Sequence, residues 1–186
     1  MTLPMQARVI QSVQAPRAVA DWLIRLQLPR NTVLLAFALV VVLNTLLTGI
    51  TLLGDPMAAL AGPLAAPWVM AVVFALMVLI FAACIASIGR MMGGQGRFDQ
   101  ILLMLTWMQA LRILVQIAVL IVAFISPGLA LIGAFVASLL GIWIFLNLVD
   151  VVHAFGSLLK TLGVVFLGFI GMAVALMVVV PMIGIQ

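Results

Sequence analysis

Charge is scarce in this chain of 186 residues: 6% of it is Asp, Glu, Lys or Arg, while 68% is hydrophobic. That leaves too little polar surface to cover a soluble globule, so the solvent must be lipid. Glutamate and tyrosine are missing, and the acidic residues Asp21, Asp55, Asp99 and Asp150 are scattered. With no paired carboxylates or activated nucleophile on one face, the chain does not read as an enzyme. Cys84 is the sole cysteine and falls in an apolar run, which excludes a disulfide or a cysteine-based metal site within one chain. His153 is the sole histidine and lacks companions for a metal site. It reads first as an interfacial polar residue, with a proton relay as the alternative. No cofactor is expected.

What charge there is has a pattern. Arg8, Arg17, Arg25 and Arg30 precede the first long apolar run, Arg90 and Arg97 lie between the second and third, and Lys160 lies between the fourth and fifth. The alternate connections carry only Asp55 or nothing. This positive-inside asymmetry predicts an all-α polytopic membrane protein of five spans, N-terminus in the cytoplasm and C-terminus outside. The expected helices cover 31–53, 67–89, 100–125, 128–149 and 159–183, with 1–30 a cytoplasmic or interfacial segment and 31–186 the membrane domain. At about 20 residues per span there is no room for a soluble domain. The polar stretch before the first run is too long for an ordinary signal-peptide n-region, so that run reads as a retained span despite Ala59, Leu60 and Ala61 after it. Gly54, Asp55, Pro56 and residues 62–67 read as an outer loop. Ser126, Pro127 and Gly128 make a connection short enough to force spans three and four to be antiparallel neighbours. The net charge of +4 does not point to nucleic acid, because the basic residues cluster where anionic lipid attracts them.

Ahead of the first span, Val19, Trp22, Leu23 and Leu26 share one helical face, Arg17, Asp21 and Arg25 the other, and Pro16 suits a first turn. Such an amphipathic helix either lies in the interface with Trp22 at headgroup level or packs across the ends of the spans as a lid. Arg17, Trp22, Arg25, Arg90 and Arg97 are candidate contacts for anionic headgroups.

Arg112 lies about 12 residues into the third span, roughly 18 Å along the axis, near mid-bilayer. A charge there costs about 2.5 to 3.5 kcal/mol on insertion scales, so it should face protein or water. Gln109 and Gln116 flank it at i−3 and i+4, and Asn147 and Asp150 on the fourth span and Asn44, Thr48 and Thr51 on the first are candidate partners. Asp150 sits about 12 Å shallower than Arg112, so a direct pair needs the arginine to reach down. The cluster Asn44, Gln109, Arg112, Gln116, Asn147 and Asp150 is either interhelical glue or a polar cavity for a headgroup, proton or small solute. Gly133, Ala137 and Gly141, with Gly171 and Ala175, have the small-xxx-small spacing that permits close helix approach, within one chain or between copies. The methionines read as flexible core filler.

Gly93, Gly94, Gln95, Gly96, Arg97 and Phe98, between spans two and three, resemble the Gly-Gly-x-Gly-x-Phe segment of the Yip family of five-span, Ypt/Rab-interacting membrane proteins. Pro16 in a short N-terminal helix, Trp143 in the fourth span, and His153 and Lys160 beyond it resemble bacterial members, so the similarity runs from about Pro16 onward. Physically, the glycines permit a tight turn whose backbone N–H groups, beside Arg97, could hold a headgroup phosphate. The resemblance implies a non-enzymatic membrane protein, linked in eukaryotic relatives to vesicle trafficking, Rab contact and membrane shaping. This chain lacks their long N-terminal region, and its seven arginines to one lysine, with no glutamate or tyrosine, fit a biased bacterial genome. The expectation is a multi-pass inner-membrane organiser, scaffold or accessory subunit, acting through anionic lipids and through other membrane proteins or a second copy of itself. The alternative is a small channel or transporter on the Arg112 stripe.

Overall fold

The computed structural model describes residues 4–52 and 66–182, with side chains to residue 178; the expected outer loop at 54–66, apart from Ala66, lies outside them. Among the described residues there are seven helices: α1 Met5–Gln14, α2 Pro16–Arg25, α3 Arg30–Leu52, α4 Pro67–Met91, α5 Phe98–Ile125, α6 Pro127–His153 and α7 Leu158–Met182. The last five are long and apolar enough to cross a membrane. At 1.5 Å per residue even α3, with 23 residues, exceeds a hydrocarbon core of about 30 Å. The spans fall where the hydropathy places them, within a residue or two at most ends. The exception is α6, which runs four residues past its expected end and carries Asp150 and His153 inside its last turn.

Local chemistry explains the boundaries. Pro67 and Pro127 each sit at a helix start, where a missing N–H costs nothing, and the Ser126 hydroxyl accepts from Leu129 N at 3.4 Å. Gly93, at φ 87°, supplies the left-handed residue that ends α4. At the start of α5 the Gln100 side chain accepts from Arg97 N at 3.2 Å, and Asp99 places negative charge in the first turn.

In the bundle α5 packs on α6, α3 and α4, α4 packs on α7, and α2 lies across α6 and α5 with α1 folded onto it. Gly168 and Gly171 let α7 approach α4 closely: an added Cβ would stand 3.2 Å from Ile85 Cγ1 and 3.2 Å from Cys84 Sγ, respectively. Gly133 and Gly141 on α6 meet nothing within 4 Å, so that small-residue stripe packs against no described part of the chain.

The core is concentrated at the α2 end of the bundle. Leu23, Val33, Ile85, Leu102 and Leu148 are each 2% exposed or less. Beyond Thr106 on α5, and from Leu131 to Trp143 on α6, no residue is buried among those described. One half of the molecule is thus a tightly packed end with a cap, and the other presents separate helix faces to lipid. The cap helix α2 buries Val19 and Leu23 against protein, which is the lid arrangement; an interfacial helix would leave that face to lipid. Helix α1 has no counterpart in the sequence reading, because Ser12 is its only buried residue and no apolar stripe announces it.

Candidate functional site

Asp150 is the best-connected carboxylate among the described residues. It is 3% exposed, and its Oδ2 accepts from Arg17 Nη2 at 2.8 Å. Its Oδ1 accepts from Ser157 N and from Thr161 Oγ1, each at 3.1 Å. One helical turn back, Asn147 Oδ1 accepts from Arg17 Nε at 3.0 Å, while its Nδ2 donates to Trp143 O at 2.9 Å. A single buried charge therefore ties the cap helix α2 to α6, to the α6–α7 turn and to α7. This fork is the geometry at which a guanidinium exceeds an ammonium, two parallel donors meeting two fixed oxygens.

The structure does not bring Asn147 and Asp150 to Arg112: both are bonded by Arg17, expected as a headgroup contact, whose side chain stays half-exposed beside the clamp. The roughly 12 Å depth mismatch along the spans was the available signal, since a buried acid needs a cation at its own level. Arg112 itself donates from Nη2 to Asn44 Oδ1 at 2.5 Å and lies 5.6 Å from the Phe74 ring centre. Asn44 is buried and donates to Val40 O at 3.0 Å. These contacts tie α5 to α3 and α4, not to α6. Gln109, one turn before Arg112, has a buried Oε1 with no hydrogen-bond partner among the described residues, and Gln116 is half-buried one turn after. Of the other polar residues on α3, Thr51 donates to Thr48 O at 2.7 Å on an exposed surface.

The glycine turn does something other than expose its amides. Gly94 N donates to Gly89 O at 2.8 Å and Gln95 N to His153 O at 3.1 Å, so two of the N–H groups expected to meet a phosphate point inward. What the glycines enclose is the His153 ring. A Cβ on Gly89 would lie 1.9 Å from His153 Nε2, one on Gly94 2.6 Å from Cδ2, and one on Gly96 2.8 Å from Nε2. Phe155 stacks on the ring at 5.1 Å and 7°, and Nδ1 stands 3.1 Å from Val149 O. His153 is 1% exposed, a buried pin between α6 and the α4–α5 turn, not an interfacial residue. Among the described residues no three His, Cys, Asp or Glu side chains gather to hold a metal ion.

The remaining headgroup candidates divide. Trp22 packs edge-on against Trp107 at 5.8 Å and 70° with the Arg8 guanidinium 4.7 Å over its ring, and Trp107 Nε1 donates to Ser12 Oγ at 3.0 Å. It anchors the cap to α5. Arg25, Arg90 and Arg97 are exposed at the same end; Arg90 Nε reaches Ala86 O at 3.2 Å, and Arg97 Nε pairs with Asp99 Oδ1 at 3.1 Å.

No curated protein and no solved structure matches the chain. The Yip1 domain model does, over residues 10–179, a stretch that takes in the second half of α1, the Arg17 clamp, the glycine turn and the five long helices up to the last residues of α7; the chain belongs to the Yip1 family.

Proposed function

We propose that this Yip1-family membrane protein is a non-enzymatic organiser or scaffold of the cytoplasmic membrane, its capped end on the cytoplasmic side and in contact with anionic lipid. The observation that carries this reading is the division of labour among the arginines. Arg17, half-exposed, bonds Asp150 and holds the cap in place, Arg97 pairs with Asp99, and Arg25 and Arg90 are exposed at the same end with no carboxylate partner among the described residues. A preformed basic face at the end of a span bundle attracts an anionic leaflet by about 1 kcal/mol per residue near the surface, before screening. Other membrane proteins, or a second copy of the chain, are the second class of partner in this reading.

The channel or transporter reading has weaker support. Arg112 is engaged by Asn44, and neither cavity found beside α2 is lined by it.

Reconstitution into bilayers with and without anionic lipid tests the proposal. The wild type should gain thermal stability and retain co-purified anionic lipid, and a variant carrying Arg25→Gln and Arg90→Gln should lose most of that gain. Equal behaviour of the two proteins in both mixtures would leave these arginines as topology signals and nothing more.

A further inference from the structure

The end of α2 and the turn after it, the first turn of α3 and the first two turns of α5 line a half-open cavity of about 300 Å³. Its apolar wall is formed by Leu23, Leu28, Val33 and Leu103, and its polar wall by Gln27, Arg97, Asp99 and Gln100. The volume is at the small end of ligand cavities, which run from about 300 to 1,000 Å³, so it suits a headgroup and not a drug-sized molecule.

The charges are specific. The cavity is lined by one cation and one anion, Arg97 and Asp99, bridged at 3.1 Å with side chains 74% and 35% exposed. A pair that open to water contributes little on its own and exchanges partners readily. Two of the five guanidinium donors reach Asp99, Nε at 3.1 Å and Nη2 at 3.3 Å. A ligand bringing both an anion and a cation could replace this internal pair by two external ones without leaving either side chain unmatched. A purely anionic ligand would leave Asp99 opposed.

Gln27 also lines the cavity; it follows Leu26, the C-cap of α2, and its φ of 43° is the left-handed conformation that commonly ends a helix. Its amide can accept from an ammonium beside Asp99. No aromatic side chain among the described residues lines the cavity, so nothing there offers the cage that a quaternary ammonium prefers. The depth also fits. Val33 is in the first turn of α3 and Leu103 in the second turn of α5, two spans that reach the headgroup layer at this level.

We infer that this cavity binds a zwitterionic phospholipid whose headgroup ends in a primary ammonium, as in phosphatidylethanolamine: Arg97 takes the phosphate, Asp99 and Gln27 take the ammonium, and the leucines and Val33 take the glycerol end of the chains. The inference rests on the reading above that this end of the bundle meets lipid headgroups, and adds to its anionic-lipid face, carried by Arg25 and Arg90, a separate site for one zwitterionic class. Its residues differ from those varied in the anionic-lipid experiment, so either result can fail alone.

The test titrates the purified full-length protein in detergent with phosphatidylethanolamine, phosphatidylcholine and phosphatidylglycerol of matched chains, reading bound lipid by native mass spectrometry. Wild type should prefer phosphatidylethanolamine by about fivefold over the other two, the range an exposed charge pair supports. Asp99→Asn should erase the preference over phosphatidylcholine, Arg97→Gln should weaken all three, and Asp99→Glu should keep the wild-type order. Gln27→Ala, away from the helix start, should lower the preference about twofold and serves if Asp99→Asn fails to fold. Equal binding of the three lipids by the wild type, or an intact preference in Asp99→Asn or Gln27→Ala, overturns the inference. So does displacement of the lipid by an equal concentration of glycerophosphoethanolamine, which would make the ligand a soluble headgroup.

Discussion

Arg17 and Asp150 lie 133 residues apart in sequence and 2.8 Å apart in space, one half-exposed and the other buried. That asymmetry sets what their removal does. Arg17→Ala leaves a buried carboxylate without its cation and should cost about 1.5 to 3 kcal/mol, the range for a hydrogen bond to a charged group, because the exposed half of the arginine discounts the full buried-pair value. Adding Asp150→Asn to Arg17→Ala removes the stranded charge while keeping acceptors for Ser157 and Thr161, so the double variant should be more stable than Arg17→Ala alone. A double-mutant cycle by thermal unfolding in detergent measures the coupling, expected to be at least about 1 kcal/mol; strictly additive losses would show that the pair is not a unit.

Gly89 should not tolerate a methyl group. A helical glycine replaced by alanine normally gains about 0.5 to 1 kcal/mol, yet here the new Cβ meets the buried His153 ring at 1.9 Å, and the clash decides the sign. Gly89→Ala should destabilise by about 1 to 3 kcal/mol. The same change at Gly141, which faces open space, should be neutral or slightly stabilising. Combining Gly89→Ala with His153→Ala should cost less than the sum of the two, measured by unfolding in detergent.

The contrast between spans and site shows what a linear reading can see. Each long helix announces itself by an uninterrupted apolar run, and the basic loops rank the connections, so α3 to α7 were legible from residue type alone. Polar pairing was not, because residue spacing reports depth along a helix but not which neighbour its polar face meets. The short connection between spans three and four makes Asp150 a neighbour candidate for Arg112, whereas the fold gives Arg112 to Asn44 and Asp150 to Arg17. The glycine turn was recognisable as a turn, but its enclosed partner, His153, comes from a helix end that runs longer than its apolar pattern.

Arg112→Leu should change stability by less than about 1 kcal/mol. Removing a mid-bilayer charge recovers about 2.5 to 3.5 kcal/mol of insertion cost, and this offsets the loss of the Asn44 bond and the penalty for leaving that buried amide oxygen unpaired. Proton flux through liposomes bearing the wild type or the variant should be equal and at background. A wild-type flux abolished by Arg112→Leu would restore the transport reading.

Topology is open to direct labelling. On a Cys84→Ser background, a cysteine placed at Gln95 should react only from the cytoplasmic side and one at Ser126 only from outside, as the distribution of arginines requires. Labelling of both from the same side would refute the five-span arrangement.

Hydrogen exchange across α2 tests the account at its centre, the claim that the N-terminal helices are a docked cap and not a lipid-dependent flap. Val19, Ala20 and Leu23 are covered by protein and Arg17 is clamped, so the α2 amides should be protected to the same degree in neutral detergent and in anionic nanodiscs, and Arg17→Ala should lower that protection in both. Protection that appears only in anionic nanodiscs, and is indifferent to Arg17→Ala, would contradict it.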